Sequence, residues 1–191
     1  MIAQAKKIFI LRKEHIMIVE LIHVKINDKL TLKSLLELYD SEPNDYEEDD
    51  EGEQEPYEYK YLEHYFKEKD WLAYFIMVDD DYAGFVMINP MPEVSDILTD
   101  YSLSEFFVIP KYRRCGVGKL AVYKILDMYK GKWQLTRDPR DKNSVPFWNK
   151  VINEYTNGDF NVKKSYQNVN FTYSGGVKGD VFFFDNSQPF Q

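Results

Sequence analysis

The sequence predicts a single mixed α/β domain, and three observations support this prediction. Strand-length runs of β-branched and aromatic residues alternate with segments of helical periodicity. The chain has 191 residues, of which 44 % are hydrophobic and 16 % aromatic, so it can bury one sizeable core. Two closely spaced glycines join one strand to an amphipathic helix. We expect a mixed sheet with the element order β-α-α-β-β-β-α-β-α-β-β.

The first elements are a strand and two helices. Residues 19–26 are rich in β-branched side chains and predict a strand. Leucines at helical spacing predict a helix over 30–39, and aromatic residues predict a second helix over 57–69. The acidic loop 42–55 lies between these two helices.

The acidic loop carries the negative charge of the chain. It holds nine of the 32 acidic residues and no lysine or arginine, so 23 acids face 24 bases elsewhere and the formal net charge of −8 becomes +1. Such a run is usually a solvated loop, and the alternative is a polyanionic rim that attracts a cationic partner. Without a basic stripe we expect no nucleic-acid ligand.

A hairpin and a further strand follow. Residues 71–78 and 82–88 are apolar runs separated by three aspartates, which predicts two antiparallel strands. Residues 101–109 predict another strand, which Pro110 ends because proline cannot continue a ladder.

Residues 117–130 form an amphipathic helical pattern, and Gly131 is expected to close the helix. The predicted polar side consists of Lys119, Lys124, Asp127 and Lys130.

The last elements are a short strand at 133–136, a helix at 144–155 and two strands near 162–166 and 181–184. We find no internal repeat.

The role of the N-terminal residues and the cellular location of the protein are predicted from short sequence signals. Lys13-Glu14 can be encoded by a ribosome-binding sequence just upstream of Met17. We therefore interpret Met17 as the native start and residues 1–16 as an N-terminal extension that is a start-site artefact, before a single domain at 17–191. No apolar stretch approaches the roughly 20 residues that span a bilayer, so we expect no membrane partner. A lone Cys115 excludes an intramolecular disulfide and fits the reducing cytoplasm. The sequence does not decide the oligomeric state, and a homodimer is one alternative.

The strongest chemical signal is the loop 113–118, Arg-Arg-Cys-Gly-Val-Gly, between a strand and a helix. Glycines let the backbone approach a ligand, and the amides of the first helical turn have no intrahelical acceptor. Together with the helix dipole they form an anion site suited to a pyrophosphate.

Two nucleotide-binding loops compete for this segment. A Walker A loop requires glycine where this chain has Arg113 and Ser or Thr where it has Leu120, so two of its required residues are absent. The dinucleotide fingerprint fits Gly116 onward, with Asp138 as its acidic residue. That fingerprint requires the strand to end almost directly before the first glycine, whereas here residues 110–115 lie between the strand and Gly116.

Residues 107–119 resemble the acetyl-CoA-binding motif of the GNAT superfamily, Val-x-Pro-x-x-Arg-x-x-Gly-x-Gly. Downstream, Phe147-Trp148 lies where such proteins carry a Phe-Tyr or Phe-Trp helix. The resemblance implies the GNAT fold and an N-acetyltransferase that passes an acetyl group from acetyl-CoA directly to an amine.

The resemblance also implies a donor site. The strands before and after the helix 117–130 would splay apart, with coenzyme A in the gap and its pyrophosphate on the amides of 114–119. Pantetheine would run beside Phe107, and the N–H of Val108 would stabilise the oxyanion. The implied coenzyme contacts are Phe107, Val108, Arg113, Arg114, Cys115, Gly116, Val117, Gly118, Lys119, Asn143 and Trp148.

Candidate proton-transfer groups are fewer. Glu105 precedes Val108 by three residues and is a candidate base, or a strand-end carboxylate paired with a lysine. Trp148 occupies the position of the family's usual tyrosine acid and lacks accessible acidity, so it is expected to pack or to line the channel. Tyr155 is a weak substitute for the acid, and Asn143 is equally an N-cap or a pantetheine contact.

We expect neither a nucleophilic cysteine nor a metal. No histidine is near Cys115 in the sequence, and the three histidines lack ligand spacing.

The predicted function is acetylation of a small cationic amine, such as a polyamine or an aminoglycoside. The family order places the acidic loop beside the acceptor cleft. Two alternatives stay open, namely a peptide or protein N-acetyltransferase and a non-catalytic acyl-CoA-binding module.

Overall fold

A computed structural model of the protein describes residues 8–12, 15–42, 59–94 and 96–190. Apart from Glu42, the acidic loop lies outside these described residues. None of the described helices is long and apolar enough to cross a membrane. The elements are β1 (Ile8–Arg12), β2 (His15–His23), α1 (Lys29–Asp40), α2 (His64–Lys67), β3 (Leu72–Val78), β4 (Asp81–Asn89), β5 (Tyr101–Val108), α3 (Val117–Met128), β6 (Lys132–Arg137), α4 (Ser144–Tyr155), β7 (Asn161–Lys163) and β8 (Asp180–Asp185).

The chain divides into two compact units. Unit 1 comprises Met1–Tyr39, Tyr59–Ile88 and Glu105–Tyr129, and unit 2 comprises Asp40–Glu58, Asn89–Ser104 and Lys130–Gln191. Strand β5 contributes to both, because its first four residues belong to unit 2 and its last four to unit 1.

In unit 1 the strands follow the order β1-β2-β3-β4-β5, and the pairs from β1 to β4 are antiparallel. The β3–β4 hairpin is confirmed, and its register shifts between Ile76 and Met77. Apolar alternation and β-branched residues explain these strands, which are buried along most of their length. The fully buried side chains include Val19, Leu32, Leu36, Ile76, Phe85, Val86, Val117, Ala121 and Ile125.

Unit 1 differs from the predicted order at its beginning. Residues 8–12 form a strand paired with β2, and β2 begins at His15 rather than at Val19. The second helix is limited to four residues, because turns precede it from Lys60 to Glu63. The start at Met17 stays a prediction, and N-terminal sequencing of the protein made from its native gene tests it.

Two predictions for the helix after β5 are wrong. Lys124 is not on a solvated face: it is 7 % exposed, and its Nζ donates to the Val19 carbonyl at 2.7 Å. Burial lowers the pKa of this amine. Gly131 does not close the helix either, because α3 ends at Met128 and Tyr129 is already extended.

In unit 2 the order is β5-β6-β8-β7. The first residues of β5 pair in parallel with β6, from Tyr101 opposite Trp133 to Leu103 opposite Leu135. Strands β6, β8 and β7 pair antiparallel. Helix α4 has the predicted bounds, and its apolar residues Trp148, Val151 and Ile152 are buried.

The end of β5 lies unusually close to β4 at Gly84. A Cβ on Gly84 would lie 2.0 Å from the Phe107 carbonyl oxygen and 3.0 Å from the Val108 Cα. Both neighbours are backbone atoms, so no side-chain rotation could relieve the clash. Gly84 also has a φ of +152°, which side-chain-bearing residues rarely adopt. Only glycine therefore permits this approach.

We predict that Gly84→Ala destabilises the protein by about 3 kcal/mol, because it adds backbone overlap to backbone strain. Gly176→Ala is the matched control, since Gly176 also has a positive φ of +72° but no atom within 4 Å of the added Cβ. It should lower the free energy of unfolding by only about 1 kcal/mol. Urea unfolding measures both, and equal losses in the two variants would contradict the close approach.

Candidate functional site

The site begins at the buried end of β5. The Phe107 ring lies 5.5 Å from that of Tyr39 and 5.8 Å from that of Phe85, centroid to centroid. The N–H of Ile109 donates to the Ala83 carbonyl on β4 at 2.9 Å. Because successive amides of a strand point to opposite sides, the N–H of Val108 is directed away from β4.

A short turn then reverses the chain at residues 110–112. Tyr112 is buried in this turn, and its hydroxyl donates to Asp81 Oδ2 at 2.9 Å, which ties the turn to the β3–β4 hairpin. Arg113 folds back, so that its Nε donates to the Val108 carbonyl at 2.6 Å and its guanidinium lies 5.6 Å from the Phe107 ring centre. These contacts hold the strand end in place.

The loop that follows exposes backbone amides. Arg114 and Gly116 both have left-handed φ angles, 60° and 88°, and such turns direct backbone N–H groups into one concavity. Gly116 is the N-cap of α3 and has no capping side chain among the described residues. At this end of the helix, the Leu120 N–H donates to the Gly116 carbonyl at 3.1 Å. The preceding amides, those of Val117, Gly118 and Lys119, are positioned to bind an anion.

The electrostatics of the loop favour the same ligand. Arg113, Arg114 and Lys119 carry positive charge, and the first turn of α3 contains no acidic residue. Cys115 is half-buried, and its Sγ lies 2.8 Å from the Tyr112 carbonyl oxygen. Together with the helix dipole, these groups create a positive potential around the amides.

Glu105 lies half-buried on β5 in the same unit as the loop, three residues before Val108. The candidate base, the candidate oxyanion donor and the anion loop all belong to unit 1. The other three predicted residues belong to unit 2.

In unit 2, Asn143 is not a side-chain cap. It precedes α4, but its side chain makes no capping hydrogen bond there. Instead Asp141 Oδ1 accepts hydrogen bonds from the N–H groups of Asn143 and Ser144, at 2.8 and 3.0 Å. An aspartate is a good cap because its carboxylate also interacts favourably with the helix dipole. The N-cap interpretation of Asn143 is thus wrong.

Trp148 and Tyr155 lie on α4. Trp148 is buried and its ring packs at 4.9 Å against that of Phe147. The Tyr155 hydroxyl oxygen accepts a hydrogen bond from Lys130 Nζ at 3.1 Å, and Asn186 Nδ2 lies 3.4 Å away.

Asp138, the acidic residue of the dinucleotide fingerprint, is engaged by Arg140 instead. Its Oδ2 lies 2.6 Å from Arg140 Nη2, and its Oδ1 accepts the Arg140 Nε and backbone N–H. Burial acts to raise the pKa of the Asp138 carboxyl, but the hydrogen bonds from Arg140 lower it by more. A carboxylate held in this way is poorly placed to receive a ribose hydroxyl.

Sequence reasoning missed the residues that position the loop. In the sequence, Gly84 is a glycine within an apolar run, and nothing else distinguishes it from an ordinary strand residue. Tyr112 precedes the arginine pair in the sequence, but its bond to Asp81 spans 31 residues and leaves no local pattern. Among the described residues there is no group of three or more His, Cys, Asp or Glu side chains that could hold a metal ion.

Comparison with known proteins gives a family and a fold. A family model of the acetyltransferase (GNAT) family matches residues 32–152. No curated protein sequence shows a significant match.

Solved structures also resemble the chain. A diaminobutyrate acetyltransferase from Paenibacillus lautus, in complex with its substrate and coenzyme A, superposes with a TM-score of 0.57 at 15 % identity, over 89 % of this chain and 96 % of that one. The ribosomal-protein-S18-alanine N-acetyltransferase from Escherichia coli gives 0.56 at 12 % identity, over 89 % and 95 %. A spermidine N-acetyltransferase chimera from Vibrio cholerae and hSSAT gives 0.56 at 15 % identity, over 88 % and 96 %. At these identities the likeness establishes the fold.

We predict that the Tyr112 hydroxyl and the Asp81 carboxylate are energetically coupled, because they join the loop to the hairpin. In a double-mutant cycle with Tyr112→Phe and Asp81→Asn, the coupling energy should be about 1 kcal/mol. Chemical unfolding of the four proteins measures it. Additive losses in the double variant would show that the loop is held by other contacts.

Proposed function

This chain belongs to the acetyltransferase (GNAT) family and is an N-acetyltransferase; on that premise we propose that its donor is acetyl-CoA and its acceptor the primary amine of a small cationic molecule. The observation that supports the donor most directly is the uncapped N-terminus of α3 with its left-handed loop. The acceptor proposal rests on charge.

The loop fits the pyrophosphate of coenzyme A. Gly116 leaves the first-turn amides open to a ligand, and the left-handed residues turn further amides the same way. The pyrophosphate would be held by backbone N–H groups from Arg114 to Lys119, with the charges of Arg114 and Lys119 nearby. Backbone amides donate at fixed positions, so the site needs little reorganisation on binding.

The acyl end of the donor would lie along the last residues of β5. Bound acetyl-CoA supplies an activated thioester with a good leaving group. The N–H of Val108, directed away from β4, would donate to the acyl oxygen, where negative charge develops during attack. The packing of Phe107 and the bond from Arg113 to the Val108 carbonyl keep this donor in position.

Proton transfer is assigned to Glu105. An amine attacks a thioester only in its neutral form, so a carboxylate acting directly or through water is a suitable base. The indole of Trp148 has no accessible acidity, so it is not the acid. The departing thiolate would take its proton from solvent or from the product ammonium.

A small cationic amine is the acceptor that the charge distribution favours. The nine acids of the loop 42–55 would raise the local concentration of a cation, although exposed charges are screened over about 8 Å at physiological salt. Diaminobutyrate and spermidine, the amines for which two structurally similar acetyltransferases are named, are of this kind. We place the reaction in the cytoplasm, where the lone Cys115 would stay reduced.

The proposal is tested by ligand stabilisation and by turnover. Acetyl-CoA at a hundred times its dissociation constant should stabilise the fold by about 2.7 kcal/mol, whereas NADH and ATP should not. Release of free thiol is then followed with spermidine, an aminoglycoside and short peptides as acceptors. Turnover on the small amines supports the proposal. Turnover on peptides alone assigns a peptide acceptor, and stabilisation without any turnover assigns a non-catalytic acyl-CoA-binding module.

We predict that neutralising the acidic loop raises the acceptor KM and weakens its salt dependence. The variant replaces the nine acids by asparagine or glutamine, and the control shuffles the loop 42–55 so that its charge is kept. Steady-state kinetics at low and high salt compare both with the parent. An unchanged KM in the neutral variant, or an equal rise in the shuffled control, would refute an electrostatic role for the loop.

A further inference from the structure

Unit 2 contains a cavity of about 420 Å³, and its lining residues all belong to that unit. They come from the end of β6, from α4, from the segment around β7 and from the start of β8. This volume lies within the range of small-molecule pockets. None of the residues assigned above to coenzyme binding or catalysis lines the cavity.

Arg137 is a buried charge at this cavity and is paired with the buried carboxylate of Asp180. Its side chain is only 4 % exposed, and among the described residues two of its five donors are engaged: Nη1 donates to the Val145 carbonyl at 2.6 Å, and Nη2 to Asp180 Oδ2 at 3.2 Å. Its Nε has no hydrogen-bond partner among the described residues, but this atom is fully enclosed and does not border the cavity. A ligand in the cavity therefore meets Arg137 through the positive charge of its guanidinium, which an anionic group complements.

The remaining polar groups of the lining are mostly donors. Asp180 is the exception, but both of its oxygens are already engaged, since Oδ2 meets Arg137 and Oδ1 accepts the N–H of Ser165 at 2.9 Å. Lys164, Ser165 and Asn149 add an amine, a hydroxyl and an amide to the lining. With two cations and one carboxylate, the lining has a formal charge of +1.

The backbone at Ser165 is held in a strained conformation. Its φ is +44°, in the left-handed region that costs a residue with a side chain about 1–2 kcal/mol. The bond to Asp180 holds Ser165 there, beside the buried arginine. Strain of this kind persists where the surroundings impose it and is concentrated at binding sites.

The rest of the lining is apolar and includes Phe160 and Val162. A ligand that fits has an anionic group with acceptor oxygens and an apolar body. The net charge of +1 matches a monoanion, and the carboxylate of Asp180 disfavours a dianion such as a phosphate monoester. A carboxylate also matches the planar donor geometry of a guanidinium.

We propose that this cavity binds a small organic monocarboxylate as a second ligand, distinct from the acetyl donor. The carboxylate lies among Arg137, Lys164 and Ser165, and the apolar body packs against Phe160 and Val162.

The test compares benzoate with benzamide, which have the same shape but differ in charge. Titration is followed by NMR in the full chain, with the arginine Nε–H signals as the readout. Benzoate should bind saturably and at least about tenfold more tightly than benzamide, since hydrogen bonds to a charged group are the stronger ones. One arginine Nε–H signal, that of Arg137, should shift with the same dissociation constant.

Two variants locate the site. Lys164→Gln removes an exposed charge, and Ser165→Gly removes the hydroxyl at a backbone angle that glycine accepts, so both should fold. Each should weaken benzoate binding about three- to tenfold. Lys150→Gln is the matched control, because Lys150 is an exposed lysine on α4 that does not line the cavity.

Any of three results would overturn the proposal. The first is the absence of saturable benzoate binding up to 20 mM, which would mean that the cavity holds only solvent. The second is an equal affinity for benzoate and benzamide, and the third is an equal loss of benzoate binding in the Lys150 and Lys164 variants.

Discussion

The end of β5 can carry a binding loop only because it lies directly against β4 at Gly84. There the Phe107 carbonyl oxygen occupies the space that any other residue at position 84 would fill with its Cβ. The close approach fixes Val108, and with it the direction of the N–H proposed to face the acyl group. Arg113 then bonds the Val108 carbonyl, and Tyr112 joins the turn to Asp81. The position of the loop therefore depends on a missing side chain on a neighbouring strand.

From this anchored point, the proposed donor site is made mainly by backbone. A left-handed arginine, a left-handed glycine and an uncapped helix produce a set of N–H donors, and the side chains add charge. These groups complement a pyrophosphate and carry no information about the acceptor. The chain shares its fold with a diaminobutyrate acetyltransferase and with a ribosomal-protein-S18-alanine N-acetyltransferase, at identities of 15 % and 12 %.

The sequence predicted what local patterns encode. The hairpin, β5, α3 and α4 follow from runs and periodicities that are complete within a dozen residues, and the loop motif is contiguous. Lys124 was misplaced because its partner, the Val19 carbonyl, is 105 residues away, and a long aliphatic stem lets a lysine bury within an apolar face. Asn143 lost the capping role to Asp141, since two backbone N–H groups converge on the latter's carboxylate. The constraint on Gly84 could not be found from the sequence, because it comes from Phe107 and Val108, which follow Gly84 by more than 20 residues.

We propose that the loop 113–118 holds the pyrophosphate of acetyl-CoA, and Cys115 can report on this directly because it is the single cysteine of the chain. The measurement is the rate of Cys115 alkylation by iodoacetamide, with acetyl-CoA or with S-acetylpantetheine, which lacks the pyrophosphate. Acetyl-CoA should slow labelling in a saturable manner, and S-acetylpantetheine at the same concentration should not. Equal labelling rates with and without acetyl-CoA would contradict the placement of the donor at this loop.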